Sequence, residues 1–139
     1  MCEKDKYVLD TSAIIAFLED EIGADTVQDL LEKAKDDAVI IFIVFISFME
    51  VYYITWQEKG PSEAQRRNTL IGKLAIQRVE STEELSLIAG ELKAKYRISL
   101  ADAWIAAVAK HKGAILVHKD PEFEQVAGEI QELRLPYKS

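Results

Sequence analysis

Four carboxylates stand where short apolar runs give way to helical patterns: Asp10 in YVLDTSAI, Glu50 in FISFMEVYYI, Asp102 in SLADAWIAAVA and Asp120 in ILVHKDPEFE. In an open parallel α/β sheet the strand ends share one edge, so residues distant in sequence converge there. Converging carboxylates repel one another unless a cation neutralises them, and hard oxygen donors suit Mg²⁺ or Mn²⁺. The pattern predicts a metal site.

Each acid also has a simpler reading. Ser47-Phe48-Met49-Glu50 fits a capping box, and Ser99-Leu100-Ala101-Asp102 repeats it with aspartate. Asp120 before Pro121 is an N-cap in its own right. Taken together the acids weigh differently. Asp10 ends a strand and is not needed as a cap, because Thr11 or Ser12 can serve. Glu50 and Asp102 sit in apolar surroundings, which predicts burial, and neither segment carries a lysine or arginine to offset a buried charge. One metal site accounts for all four.

The elements that must position these acids alternate between strand and helix. KYVLD reads as a strand, Ser12 as the cap of a helix through IIAFLEDE, and residues 24–36 as a second helix. AVIIFIVFI at 38–46 reads as a strand buried on both faces, far short of the roughly 20 residues that span a bilayer. Ser47 opens a helix closed by Gly60, and a further helix spans 62–76. RVES reads as a short strand, and Thr82 opens a helix through Tyr96. Ser99 caps LADAWIAAVAKHK, which Gly113 stops; AILVH is the fourth strand, and a short helix begins at Asp120-Pro121. The tail LRLPYKS adds an edge strand. Such alternation predicts a three-layer α/β/α domain with a mainly parallel sheet.

The 139 residues suit a single domain, and a formal net charge of -7 argues against binding nucleic acid through a general basic surface. Cys2 is the one cysteine, so neither an intrachain disulfide nor a cysteine-based zinc site is possible, and a free thiol suits a reducing cytoplasm. The start MCEKDKYVLD has no apolar signal-peptide core. The reading is a cytoplasmic protein without membrane partners.

YVLDTSAIIAFL, the glutamate in SFMEVYYI, ADAWIAAVA and LVHKDPEF together resemble a PIN domain, over nearly the whole chain and in the family's order. That family is a metal-dependent ribonuclease fold that includes the VapC-type toxins of toxin–antitoxin pairs. The resemblance implies an acidic quartet at Asp10, Glu50, Asp102 and Asp120, with Thr11 or Ser12 orienting the first aspartate or its metal water. It also implies a homodimer and a small antitoxin that inserts a basic side chain into the site. Many relatives carry threonine or serine where this chain has His118, which is open to a role at metal water, at RNA, or as a partly exposed histidine at a strand end. Glu122 is a possible extra outer-shell ligand.

The chemistry expected is hydrolysis of an RNA phosphodiester by water activated by Mg²⁺ or Mn²⁺. With only His111 and His118, the chain scarcely offers a histidine-based alternative. Among the cations, Lys119 beside a proposed ligand is the first candidate for a phosphate contact and Arg66-Arg67 the second. Trp56 and Trp104 read as core or dimer packing, and the helix bearing Tyr52, Tyr53 and Trp56 as part of either a dimer surface or the intramolecular core. The alternatives are a catalytically silent PIN-fold interaction module and an RNA-processing nuclease without an antitoxin. Receiver-like and D-x-D phosphatase readings fail because Asp10-Thr11-Ser12 supplies one acid after the first strand.

Overall fold

The computed structural model describes residues 3–137. Cys2 and the last two residues of the tail lie outside them. Five strands form one sheet: β1 (Asp5–Leu9), β2 (Val39–Val44), β3 (Gln77–Val79), β4 (Ile115–His118) and β5 (Gln131–Arg134). The order is β3-β2-β1-β4-β5, and every neighbouring pair is parallel. Because the chain builds outward from β1 on one side and later returns to its other side, the topology switches between β1 and β4. Ligand sites of open parallel sheets lie at that point, beyond the carboxyl ends of the strands.

Helices α1 (Thr11–Leu18), α2 (Ala24–Lys35), α3 (Phe45–Lys59) and α4 (Pro61–Gly72) follow the first two strands. Their apolar stripes, including Ile14, Val27, Leu31, Val51 and Ile71, pack with Leu9, Ile41, Ile43 and Val117 on one face of the sheet. Helices α5 (Glu83–Lys95) and α6 (Leu100–Lys112) cover the other, with Leu85, Leu92, Ile105 and Val108 against Val8, Phe42, Val44 and Leu116. A 3₁₀ segment, Pro121–Val126, adds Phe123 and Val126 to that second core. This is the three-layer α/β/α architecture that the alternating pattern predicts. β2 is a continuous apolar run, and β1 and β4 carry apolar residues at Tyr7–Leu9 and Ile115–Val117, because side chains on both faces of the sheet are covered there.

Local starts and stops differ from the sequence expectations in instructive ways. The first helix begins at Thr11, so Asp10 itself is the cap, accepting the Ala13 N–H at 2.8 Å. Helix α3 begins at Phe45, which puts Ser47 inside it and leaves the Ser47–Glu50 capping box unformed. Apolar β2 runs straight into α3, so no polar residue marks the boundary. Helix α4 ends at Gly72, short of 76, and the last strand is Gln131–Arg134, upstream of most of LRLPYKS. Gly113 closes α6 in the left-handed conformation (φ 62°), which glycine adopts without a Cβ penalty.

Candidate metal centre

Asp10 follows β1 and is buried against the β4 end, where its own N–H donates to Val117 O at 3.1 Å. The Ser12 hydroxyl donates to its carboxylate at 2.7 to 2.8 Å and accepts the Lys119 N–H at 2.9 Å. A single hydroxyl thus ties the first acid to the segment carrying the fourth. Burial raises the Asp10 carboxyl to about 7, with the Asp120 charge adding and the Ala13 and Ser12 hydrogen bonds opposing.

Asp102 arrives from the opposite helical layer. Ser99 caps α6 by accepting the Asp102 N–H at 3.1 Å, which places this acid in the first turn, where the backbone dipole favours negative charge. Its side chain is nevertheless buried (8 % exposed) and, among the described residues, no lysine, arginine or backbone N–H reaches it. The groups that face it are the carboxyls of Asp120, Glu122 and Asp10, and burial first, then these neighbours, push it up to about 9.

Asp120 and Glu122 come from one tight turn. Asp120 caps the 3₁₀ segment by accepting the Glu122 N–H at 2.9 Å, and the Glu122 carboxylate accepts the Ser99 N–H. Carboxylate oxygens of Asp102, Asp120 and Glu122 lie within 4.8 Å of one another. Glu122 therefore stands in the cluster with Asp102 and Asp120; the i, i+2 spacing with Asp120 across Pro121 is the signal in the sequence. The donor set is all oxygen and carries excess negative charge, which fits a hard divalent cation.

Glu50 sits apart from that triad. It is half-buried, not buried as its apolar neighbours suggest, because α3 turns it toward the Thr11 hydroxyl, which donates to Glu50 Oε1 at 2.5 Å. Thr11 also lies 3.1 Å from the buried Ser47 hydroxyl, so it links α1 to α3. Lys119 does not face outward toward phosphate. Its Nζ donates to Ile22 O at 2.7 Å and lies 3.7 Å from Glu21, with the side chain 6 % exposed. Arg67 is likewise buried, paired with Glu19 and Glu63, and Arg66 is held by Glu63. His118, open to a partly exposed reading in the sequence, is fully buried. Trp104 packs edge-on against Phe45 at 5.1 Å, whereas Trp56 is exposed, which overturns a core role for it.

A search of curated proteins finds no match. Among solved structures, the fold is similar to VapBC2 from Rickettsia felis bound to a DNA fragment from its promoter (TM-score 0.75, 20 % identity, covering 94 % of this chain and 98 % of that one). It is also similar to VapC20 of Mycobacterium tuberculosis, a sarcin-ricin-loop-cleaving toxin (TM-score 0.69, 16 % identity, 92 % and 98 %). A third is the DNA-bound VapBC of Salmonella typhimurium (0.72, 18 %, 94 % and 98 %). The family model for the PIN domain matches residues 7–129, a span running from β1 to the turn after the 3₁₀ segment and holding every acid described above, and the chain belongs to the PIN-domain family.

Proposed function

We propose that this protein is a Mg²⁺- or Mn²⁺-dependent endoribonuclease acting as the toxin of a toxin–antitoxin pair. The observation that carries the reading is Asp102, a buried carboxylate that, among the described residues, is faced by the carboxyls of Asp120, Glu122 and Asp10 and by no cation. Asp102, Asp120 and Glu122 would hold the ion, with Asp10 bordering them and Glu50 serving from the Thr11 side. When bound, the ion supplies Lewis acidity that makes water a better nucleophile and offsets charge on the departing oxygen of the phosphodiester.

The protein's own contribution is positioning. Ser12 and the Ala13 N–H hold Asp10; Ser99 sets the start of α6; the Glu122 N–H aims Asp120. With Lys119 and Arg67 turned inward, Arg97 suits a phosphate contact: it is exposed, its side chain makes no ion pair among the described residues, and it lies two residues from Ser99, against the 3₁₀ segment through Gln125. RNA therefore meets a local cation on an otherwise acidic protein.

An antitoxin partner is supported by a groove of about 770 Å³ beside the site, lined by Ile15, Ile54, Glu19, Glu21 and Glu58 among others. Lys59 and Lys119 also line it and lie beside Glu19 and Glu21, so the groove suits a partly apolar segment through Ile15 and Ile54. A homodimer would use the exposed Met49, Tyr53 and Trp56, which form one stripe on α3. Trp56→Glu should then yield monomers by light scattering, and an unchanged mass would remove that face.

The test of function is cleavage of a structured RNA pool with Mn²⁺ or Mg²⁺, beside an EDTA control and Asp10→Asn. We expect cleavage that needs metal and falls by about 100-fold or more in the variant, since such metal chemistry is worth several kcal/mol. Equal turnover in Asp10→Asn would refute the assignment; a folded, metal-binding wild type that cleaves nothing would favour an interaction module.

A further inference from the structure

His118 stands beside the fourth acid without being one of the acids. It closes β4, is fully buried, and lies between the Phe123 ring at 5.0 Å and the Tyr137 ring at 6.5 Å. Its Nδ1 accepts the Asp120 N–H at 3.2 Å, so Nδ1 carries no proton. Its Nε2 faces Glu132 Oε2 at 3.4 Å, and the other Glu132 oxygen accepts from Arg134 Nε. Glu132 and Arg134 both lie on β5, whose register pairs Arg134 with His118.

We infer that His118 is a positioning residue that sets Asp120 through its backbone amide, with Glu132 of β5 holding the imidazole in the Nε2-protonated tautomer. The inference rests on the metal-site reading above. The Asp120 carboxylate is already fixed from the front by the Glu122 N–H. The imidazole fixes the same residue from behind, so both peptide and side chain of Asp120 are oriented before any ion arrives. A hydroxyl at position 118 would be too short to reach both the amide and β5. The longer imidazole makes the edge strand part of the site's support, a role that no local motif in QELR announces. Outer groups of this kind tune metal affinity while touching neither metal nor substrate.

The experiment pairs two measurements on the full chain. Nitrogen NMR of the metal-free wild type should show His118 protonated at Nε2 and bare at Nδ1; the opposite tautomer would overturn the inference. Calorimetric Mn²⁺ titration should then show His118→Phe, which keeps a ring but loses the acceptor, binding about 10-fold or more weaker. His118→Asn, whose Oδ1 falls near the Nδ1 position, should recover most of that loss. Wild-type affinity in His118→Phe, or no recovery in His118→Asn, would defeat the positioning role. A wild type that binds no Mn²⁺ would instead defeat the metal reading beneath it. Should His118→Phe fail to fold, the tautomer and the asparagine variant decide the question.

Discussion

Two groups of acids in this molecule meet the same electrostatic problem with opposite outcomes. Between α1 and α4, Glu19 and Glu63 share the buried Arg67, whose Nη1 and Nε lie 3.0 and 3.1 Å from them. Arg67 holds Glu19 below the ordinary range, and Arg66 followed by Arg67 lowers Glu63 to about 2. At the sheet edge, Asp10 and Asp102 have no such partner, and burial drives them up to about 7 and about 9. The first group is complete within the chain. The second has no cation among the described residues, and the ion proposed above would complete it.

The sharpest way to separate the two groups is pH. Asp10 and Asp102 have folded pKa values above their ordinary 3.8, so between about pH 4 and pH 9 the folded state binds more protons than the unfolded chain. Metal-free stability therefore falls as pH rises through that window, by up to roughly 6 kcal/mol from pH 5 to pH 8, or a Tm drop on the order of 20 °C. Glu19 and Glu63 have the reverse sign: their stabilisation is present above about 4.5 and lost as pH falls below it. Melting curves in EDTA should peak near pH 5, and saturating Mn²⁺ should flatten the alkaline limb by favouring the deprotonated acids. A flat EDTA profile from pH 5 to pH 8 would contradict the unpartnered state of the edge acids.

Removing the cation from the completed group should cost somewhat less. Arg67→Met leaves two partly buried carboxylates to Lys59, Arg66 and water, a loss of about 3 kcal/mol in urea unfolding. An unchanged midpoint would mean that the pair breaks even against its own desolvation. Smallest, and opposite in sign, is Asp102→Asn: in EDTA at pH 7 it should stabilise the protein by about 2 kcal/mol. In Mn²⁺ the advantage should vanish, because the wild type gains binding energy that the variant has given up. A variant less stable than wild type in EDTA would show that Asp102 has a donor after all.

Much of this was legible before the fold was known. The 3.6-residue stripes of α2, α5 and α6, the apolar runs of β1, β2 and β4, and the Thr82 and Ser99 caps are local signals, and local signals survive folding. The failures have a common cause. The sequence places Asp10 at a strand end and Thr11 or Ser12 at the cap, whereas a one-residue earlier helix start makes the acid do both jobs. The α3 boundary carries no polar residue, so Ser47 drew the helix start to itself. Lys119 and Arg67 look like surface cations in the sequence, yet each is drawn inward by groups tens of residues away, Ile22 O for one and Glu19 for the other.

What the sequence alone determined is the alternation of elements, the apolar character of the core strands, and the placing of Asp10, Glu50 and Asp120 after strands, because periodicity and capping depend on neighbours a few residues apart. Asp102, expected at a strand end too, instead follows the loop between α5 and α6. The grouping of Asp102, Asp120 and Glu122, the side position of Glu50, and the support of His118 by Glu132 were decided only when β4 and β5 paired beside β1 and α6 crossed over them. Those contacts depend on register and on the close packing of two helical layers, and a difference of one residue in a parallel ladder would carry each side chain to the other face of the sheet.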